Sequence, residues 1–210
     1  MHLISWNLLH RDGANPGDVA LLIERQRPDV LLMQEATQAL EVLCNLVGGS
    51  FHRTPLPGRA HGLAIWTPHP QARPPLTFSL PHGAFVQRIC QVADLGPFTV
   101  ANVHLSHGQI LNRRQLRFIA ERLPPHAAVV GDFNLVGPTL LPGFRDVGLR
   151  QFTHRMSGVL QLRLDRCLTR GLVCAEARVL PRGASDHHPI MLRLEAASEV
   201  WQQQPRPGVA

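Results

Sequence analysis

The chain is built from short apolar runs that stop abruptly at a polar residue, and this punctuation limits its possible folds more than any other feature. ISW stops at Asn7, DVLLMQ at Glu35, TVANV at His104, AAVVG at Asp132-Phe133-Asn134, and LRL at Asp165. Runs of this length suit strands buried on one or both faces, and none approaches the ~20 apolar residues that a membrane-spanning helix requires. A bilayer-crossing reading fails on that ground.

Helical signals alternate with the strands. HLISWNLL reads as a strand; Asn15-Pro16 then opens a helix with Val19, Leu22 and Ile23 on one face, and Pro28 stops it. DVLLMQE follows as a buried strand, and Leu40, Leu43, Cys44 and Val47 form a helical stripe closed by Gly48-Gly49. Residues 54–84 are rich in Pro, Gly and His and hold one clear strand, GLAIW. FVQRICQVADL and FTVANVHL, joined at Gly96-Pro97, read as an antiparallel pair. A helix after Gly108 buries Leu116, Ile119, Ala120 and Leu123, and Pro124-Pro125 ends it before the strand HAAVVGD. Loops then dominate to residue 150, and LRLDRCL, LVCAEARVL and PIMLRLE complete the strands. Parallel and antiparallel connections together predict an α/β sandwich and not a purely parallel sheet. With 210 residues, 44% of them hydrophobic, one domain over residues 1–195 is expected, followed by a flexible tail at 196–210.

Carboxyl ends of strands in open α/β sheets form the crevice where ligands bind. A sixth polar cluster, Ser185-Asp186-His187, precedes the final strand. An acid after one strand is commonly a helix cap, and a lone buried histidine is commonly structural. Several acids gathered in one place repel unless a cation or proton resolves them. The oxygen-rich set favours a hard divalent ion, Mg²⁺ or Mn²⁺, over zinc. Cys44, Cys90, Cys167 and Cys174 show no C-x-x-C spacing. Buried free thiols are expected, although a turn at Arg170-Gly171 would let Cys167 and Cys174 face each other as cross-strand neighbours.

Six motifs, SWN (5–7), QE (34–35), NVHL (102–105), GDFN (131–134), LDR (164–166) and SDHHP (185–189), occur in an order that resembles the endonuclease/exonuclease/phosphatase superfamily, the deoxyribonuclease-I-like fold. The resemblance, over residues 3–195, implies a four-layer sandwich of two mixed β-sheets packed face to face with helices outside. It implies a site with Glu35 as principal metal ligand, helped by Asn7 and Asp186. His187 and Asp165 would pair; Asp132 and Asn134 would position or activate the attacking water and bind the scissile phosphate. His104 would donate to a phosphate oxygen, and Arg88 matches an arginine that approaches the phosphate. The general base stays open between the His187–Asp165 pair and a carboxylate such as Asp132.

The resemblance implies a metal-dependent phosphodiester hydrolase without fixing its substrate. NVHL lacks the tyrosine of abasic-site enzymes, LDR lacks the W-C-D-R run of inositol phosphatases, and His61-Gly62 offers no nearby acid for the histidine–glutamate pair of pancreatic-type deoxyribonucleases. Net charge of +6 is carried by arginine alone, with Arg113, Arg114 and Arg117 on one helix and others at 145, 150, 155 and 163. Guanidinium groups suit phosphate, which favours a nuclease acting by in-line attack of water on DNA, with RNA as the less favoured polymer. The alternatives are a small-molecule or lipid phosphoester substrate, or a catalytically inactive binding protein. No signal peptide or membrane partner is evident, so a cytoplasmic monomer is expected.

Overall fold

The computed structural model describes residues 1–83, 86–156 and 159–197. Strand β1 (His2–Asn7) leads to helix α1 (Pro16–Gln26) and strand β2 (Val30–Thr37). Asn15 caps α1 as its sequence suggests: its Oδ1 accepts the Gly17 and Asp18 amides at 2.8 and 3.1 Å, and Asp18 reaches back to the Asn15 amide at 3.0 Å. Arg27, in the left-handed region, closes the helix before Pro28. The stripe from Leu40 to Val47 is not one helix. It splits into a 3-10 segment, Gln38–Val42, and a short α2, Leu43–Val47, with no side-chain cap at either start.

Strands β3 (Ser50–Pro55), β4 (His61–Thr67) and β5 (Leu76–Ser79) follow. Then come β6 (Ile89–Asp94), β7 (Thr99–His104), α3 (Gln109–Ala120) and β8 (Ala127–Asp132). The last third holds β9 (Arg145–Asp146), β10 (His154–Met156), β11 (Leu160–Leu162), β12 (Asp165–Arg170), β13 (Leu172–Val179) and β14 (Ile190–Ala196). The expected strand from residue 85 begins only at Ile89: residues 84 and 85 lie outside the described residues, and Gln87 turns its side-chain amide onto the Leu80 carbonyl at 2.7 Å. Of the expected tail, residues 198–210 also lie outside them.

Two six-stranded sheets form, ordered β13-β14-β1-β2-β4-β3 and β5-β6-β7-β8-β12-β9, with β10-β11 as a separate hairpin. Each sheet is centred on one parallel pair, β1–β2 or β7–β8, and every other pairing is antiparallel. Three buried clusters define the layers. Leu3, Leu32, Ile65, Val100, Val130 and Leu192 interdigitate between the sheets. Ile4, Trp6, Leu31 and Met33 pack on α1 and α2, and Ala101, Val103 and Val129 on α3. The result is the expected four-layer α/β/β/α sandwich.

The chain turns at Gly171 (φ 65°), but the turn carries it from one sheet to the other. Cys167 and Cys174 therefore sit across the sheet interface and are not partners on one sheet; all four cysteines are free, Cys90 and Cys167 fully buried. Among the described residues no helix is long and apolar enough to cross a membrane.

Candidate active site

A simple rule of strand direction gathers the polar residues. The parallel strands β1, β2, β7 and β8 bring their carboxyl ends to one edge of the sandwich, and the antiparallel strands beside them bring their beginnings there. Register makes this explicit. Asn7 lies opposite Gln34, His104 opposite Asp132, Asp165 opposite Asp132, and His61 opposite Thr37. Asp165 thus opens β12, and does not end a strand as the LRL run suggested.

Asp132, 1% exposed, sits at the centre. Its Oδ1 accepts the Asn134 amide at 2.8 Å and its Oδ2 accepts Asn7 Nδ2 at 2.9 Å. Two imidazole nitrogens flank the same oxygen: His104 Nε2 at 3.4 Å and His187 Nε2 at 3.8 Å. The two rings are in opposite states. Burial and the Arg88 charge push His104 down to about 3 against the pull of Asp132, so the short contact is not an ion pair at neutral pH. Burial also opposes protonation of His187, but the carboxylates of Asp165 and Asp132 outweigh it and push that imidazole up to about 10. Asp165 Oδ2 accepts from His187 Nδ1 at 2.8 Å, which directs Nε2 toward Asp132.

The loop that carries His187 is pinned to β1. Ser185 Oγ donates to the Asn7 carbonyl at 2.7 Å and accepts the His187 amide at 3.0 Å, and Trp6 Nε1 donates to the His187 carbonyl at 3.1 Å. Thr153 Oγ1 accepts the Leu164 and Asp165 amides at 3.1 and 2.9 Å.

Glu35 is built differently. It falls at a bulge where β2 slips register against β4, and its φ of 56° is one a side-chain-bearing residue adopts only at a cost of ~1–3 kcal/mol. The bulge turns the carboxylate out toward His10, whose ring and backbone amide both bond Glu35 Oε2, the amide at 3.1 Å. Burial pushes the Glu35 carboxyl up, and the His10 contacts more than reverse this, leaving it below the ordinary carboxylate value. His61 stacks on His10 with ring centroids 3.9 Å apart. Arg88 is buried immediately before β6, not on a surface strand; burial weakens its hold on its proton while Asp132 and Glu35 counter it. It is the cation that both acids feel.

Asp186 faces His154 Nδ1 at 3.8 Å and His187 Nε2 at 3.9 Å, with the two rings 4.3 Å apart. Asn134 takes φ 48° and donates to the Leu105 carbonyl at 3.1 Å. The nine residues expected from sequence therefore converge on one edge, joined by His10, His61 and His154, which the sequence does not single out as site residues. His61 carries a usable signal, since it opens a strand antiparallel to β2; His10 and His154 stand in loop or hairpin and carry none.

Acids this buried fit a divalent ion. Asp165 Oδ1 and Asp186 Oδ1 are both shielded from solvent without a hydrogen-bond partner, the state in which a carboxylate gains most from a cation.

Two mixed sheets stacked between helices, with acids, amides and imidazoles along one shared edge, make a deoxyribonuclease-I-like sandwich. The chain belongs to the endonuclease/exonuclease/phosphatase family, whose model matches residues 4–187. No protein of curated function matches it in sequence. Its fold is similar to that of an endonuclease/exonuclease/phosphatase family protein from Bacteroides thetaiotaomicron, at TM-score 0.78 and 17% identity over 98% of both chains. It is also similar to a mannosyl-6-phosphatase from the same organism, at TM-score 0.75 and 18% identity over 92% of this chain and 99% of that one. D. rerio TDP2 in complex with a single-strand DNA product gives TM-score 0.72 and 19% identity over 93% and 99%.

Proposed function

We propose that the protein is a divalent-metal-dependent phosphodiester hydrolase acting on DNA, with RNA as the less favoured polymer. The observation that carries this reading is the His187–Asp165 pair, at 2.8 Å, aimed at Asp132 on an edge where buried Arg88 feels both Asp132 and Glu35. In-line hydrolysis needs a positioned water, positive charge on the equatorial oxygens and a route for protons. Asp132 and Asn134 orient the water. Asp132, or the His187–Asp165 pair once His187 has given up the proton it holds in the metal-free protein, takes the proton of that water, and the carboxylates and imidazole titrate as a coupled set. Neutral His104 donates to a phosphate oxygen, with Arg88 and Asn134 beside it.

Glu35 and Asn7 are the donors proposed for Mg²⁺ or Mn²⁺, with Asp186 as a donor from the His187 side. When bound, such an ion supplies Lewis-acid stabilisation of the phosphoryl oxygens. His10 holds the Glu35 carboxylate ready and would yield it to the ion.

Exposed Arg114, Arg117, Arg145 and Arg150 support a polyanionic substrate; Arg163 is engaged by Asp146 at 2.7 Å and contributes less. The DNA-bound structural neighbour points the same way. A small phosphoester is the competing substrate, favoured by the sugar-phosphatase neighbour. Plasmid nicking in Mg²⁺ or Mn²⁺, with a chelator control and a parallel panel of phosphomonoesters and small diesters, tests the proposal. Chelator-sensitive nicking is expected; turnover of a small ester with no cleavage of DNA or RNA would replace it with the competing reading.

A further inference from the structure

His154 is 8% exposed, and its Nδ1 is a buried nitrogen with no hydrogen-bond partner. It lies 3.8 Å from Asp186 Oδ2, and the other Asp186 oxygen, also buried and unpartnered, lies 3.9 Å from His187 Nε2. One donor atom from each of the three residues falls within 4.8 Å of the other two. Leaving two such atoms unsatisfied is costly, and both are nitrogen or oxygen ligands of the kind a metal accepts.

The donors are held in place before any ion arrives. His154 and His187 face each other across an antiparallel bridge, fixed by Arg155 N to Asp186 O at 3.1 Å and His188 N to Thr153 O at 2.7 Å. The bond from His187 Nδ1 to Asp165 leaves Nε2 to hold either a proton or a metal ion, the same carboxylate–imidazole arrangement that orients metal-binding histidines. Tetrahedral zinc with bonds of about 2.0–2.1 Å places its ligands about 3.4 Å apart. The separations of 3.8 and 3.9 Å run to different oxygens of Asp186, and single donor atoms of the three residues lie within 4.8 Å of one another, so the set must draw together to hold an ion; the Asp186 side chain, 33% exposed, is the one freest to move.

We propose that His154, Asp186 and His187 form a second metal site, sharing only Asp186 with the Glu35 and Asn7 donors, that takes Zn²⁺ and inhibits the enzyme when filled. Two imidazoles and one carboxylate suit a borderline ion and disfavour Mg²⁺, which seeks oxygen alone. Filling the site withdraws His187 Nε2 and Asp186 from the phosphodiester chemistry. That inhibitory half rests on the function proposed above, whereas binding does not.

Co²⁺, a coloured stand-in for Zn²⁺, reads the site without turnover. Titration of the whole protein without added Mg²⁺ should give one equivalent with the intense visible bands of a four-coordinate ion. The bands should persist in Glu35→Gln. Zn²⁺ affinity by calorimetry should fall by about a hundredfold or more in His154→Ala and in the volume-conserving His154→Gln, and by at least about tenfold in Asp186→Asn, a partly exposed position where folding is not at risk. Absence of the bands in the wild type, their loss in Glu35→Gln, or unchanged affinity in Asp186→Asn would overturn the site. If Zn²⁺ binds but turnover in Mg²⁺ is undiminished, the inhibitory half falls. A protein that binds Co²⁺ here yet cleaves no phosphoester would remove the proposed function and leave the site standing.

Discussion

The two sheets solve the same construction problem in different ways. Each centres on a parallel pair whose ends deliver an amide or imidazole and an acid: Asn7 beside Glu35 in one, His104 beside Asp132 in the other. Asp132 is sealed and its oxygens are held by Asn7 and the Asn134 amide, so its position is fixed by what surrounds it. Glu35 stands on a bulge with a left-handed backbone, is partly exposed, and is steadied by one loop histidine. In the proposed mechanism Glu35 receives an ion from solvent, which needs access and freedom to adjust, whereas Asp132 aligns water or an imidazole, which needs neither. The difference marks a division of labour between the sheets.

That division can be broken most directly by truncation. Glu35→Ala and His187→Ala should each reduce turnover by roughly 10³-fold or more, with unchanged circular dichroism. Only Glu35→Ala should also weaken Mn²⁺ binding. Wild-type-like rates in either variant would remove the mechanism.

The interior between the sheets should be the next most sensitive part. Gln34 Nε2 donates to Ser5 Oγ at 3.0 Å and Asn102 Oδ1 at 2.8 Å, while Asn102 Nδ2 donates to the Met33 and Ala64 carbonyls at 3.2 and 3.0 Å. Asn102→Ala leaves these groups unpaired in a dry layer and should cost about 3 kcal/mol in urea unfolding. Gly131→Ala, whose new Cβ would meet the Val103 carbonyl oxygen at 2.0 Å, should cost at least about as much. Loss of activity without loss of stability in Asn102→Ala would contradict its role as a spacer.

A smaller effect separates the two histidines that share Asp132. Folding strengthens the grip of His187 on its proton, so its contribution is complete below the ordinary value of 6.5 and is lost as pH rises through about 10. His104 resists protonation when folded, so its contribution is complete above 6.5 and is lost as pH falls toward about 3. The melting temperature of metal-free protein should peak near neutrality. His187→Gln should flatten the basic limb and His104→Gln the acidic one; the reverse assignment would show that the protonation states are exchanged.

The smallest effect concerns the surface. Arg114→Gln with Arg117→Gln should reduce DNA affinity modestly, lowering the dependence of log K on log salt by about one unit for each phosphate no longer neutralised. An unchanged slope would place DNA elsewhere.

The strand-ending acids are legible because an apolar run that stops at a polar residue signals both a strand and its edge. The same signal marks only ends, so Asp165 reads as a terminus, His61 is legible only as the opening residue of a strand, and His154 does not stand out. Antiparallel neighbours contribute their first residues instead, which register alone reveals. β3 and β5 escape notice because SFHRTP and LTFS are edge strands, half-buried or exposed along their length, with no apolar run to announce them. The Leu40–Val47 stripe shows a helical period but carries no capping side chain, and the structure answers with a tightened first turn. His10 reaches the site past Leu9, which takes φ 55° two residues after β1 ends at Asn7, and its amide and ring meet Glu35.

The amide pair linking Gln34 and Asn102 also bears on the width of the proposed site. Glu35 and Asp132 ride on opposite slabs of the protein, and the rivet between those slabs lies directly beneath them. The gauge of the cleft is thereby set at folding. Discrimination among ligands would then rest on how well each matches that gauge, and less on a closing movement of the two slabs.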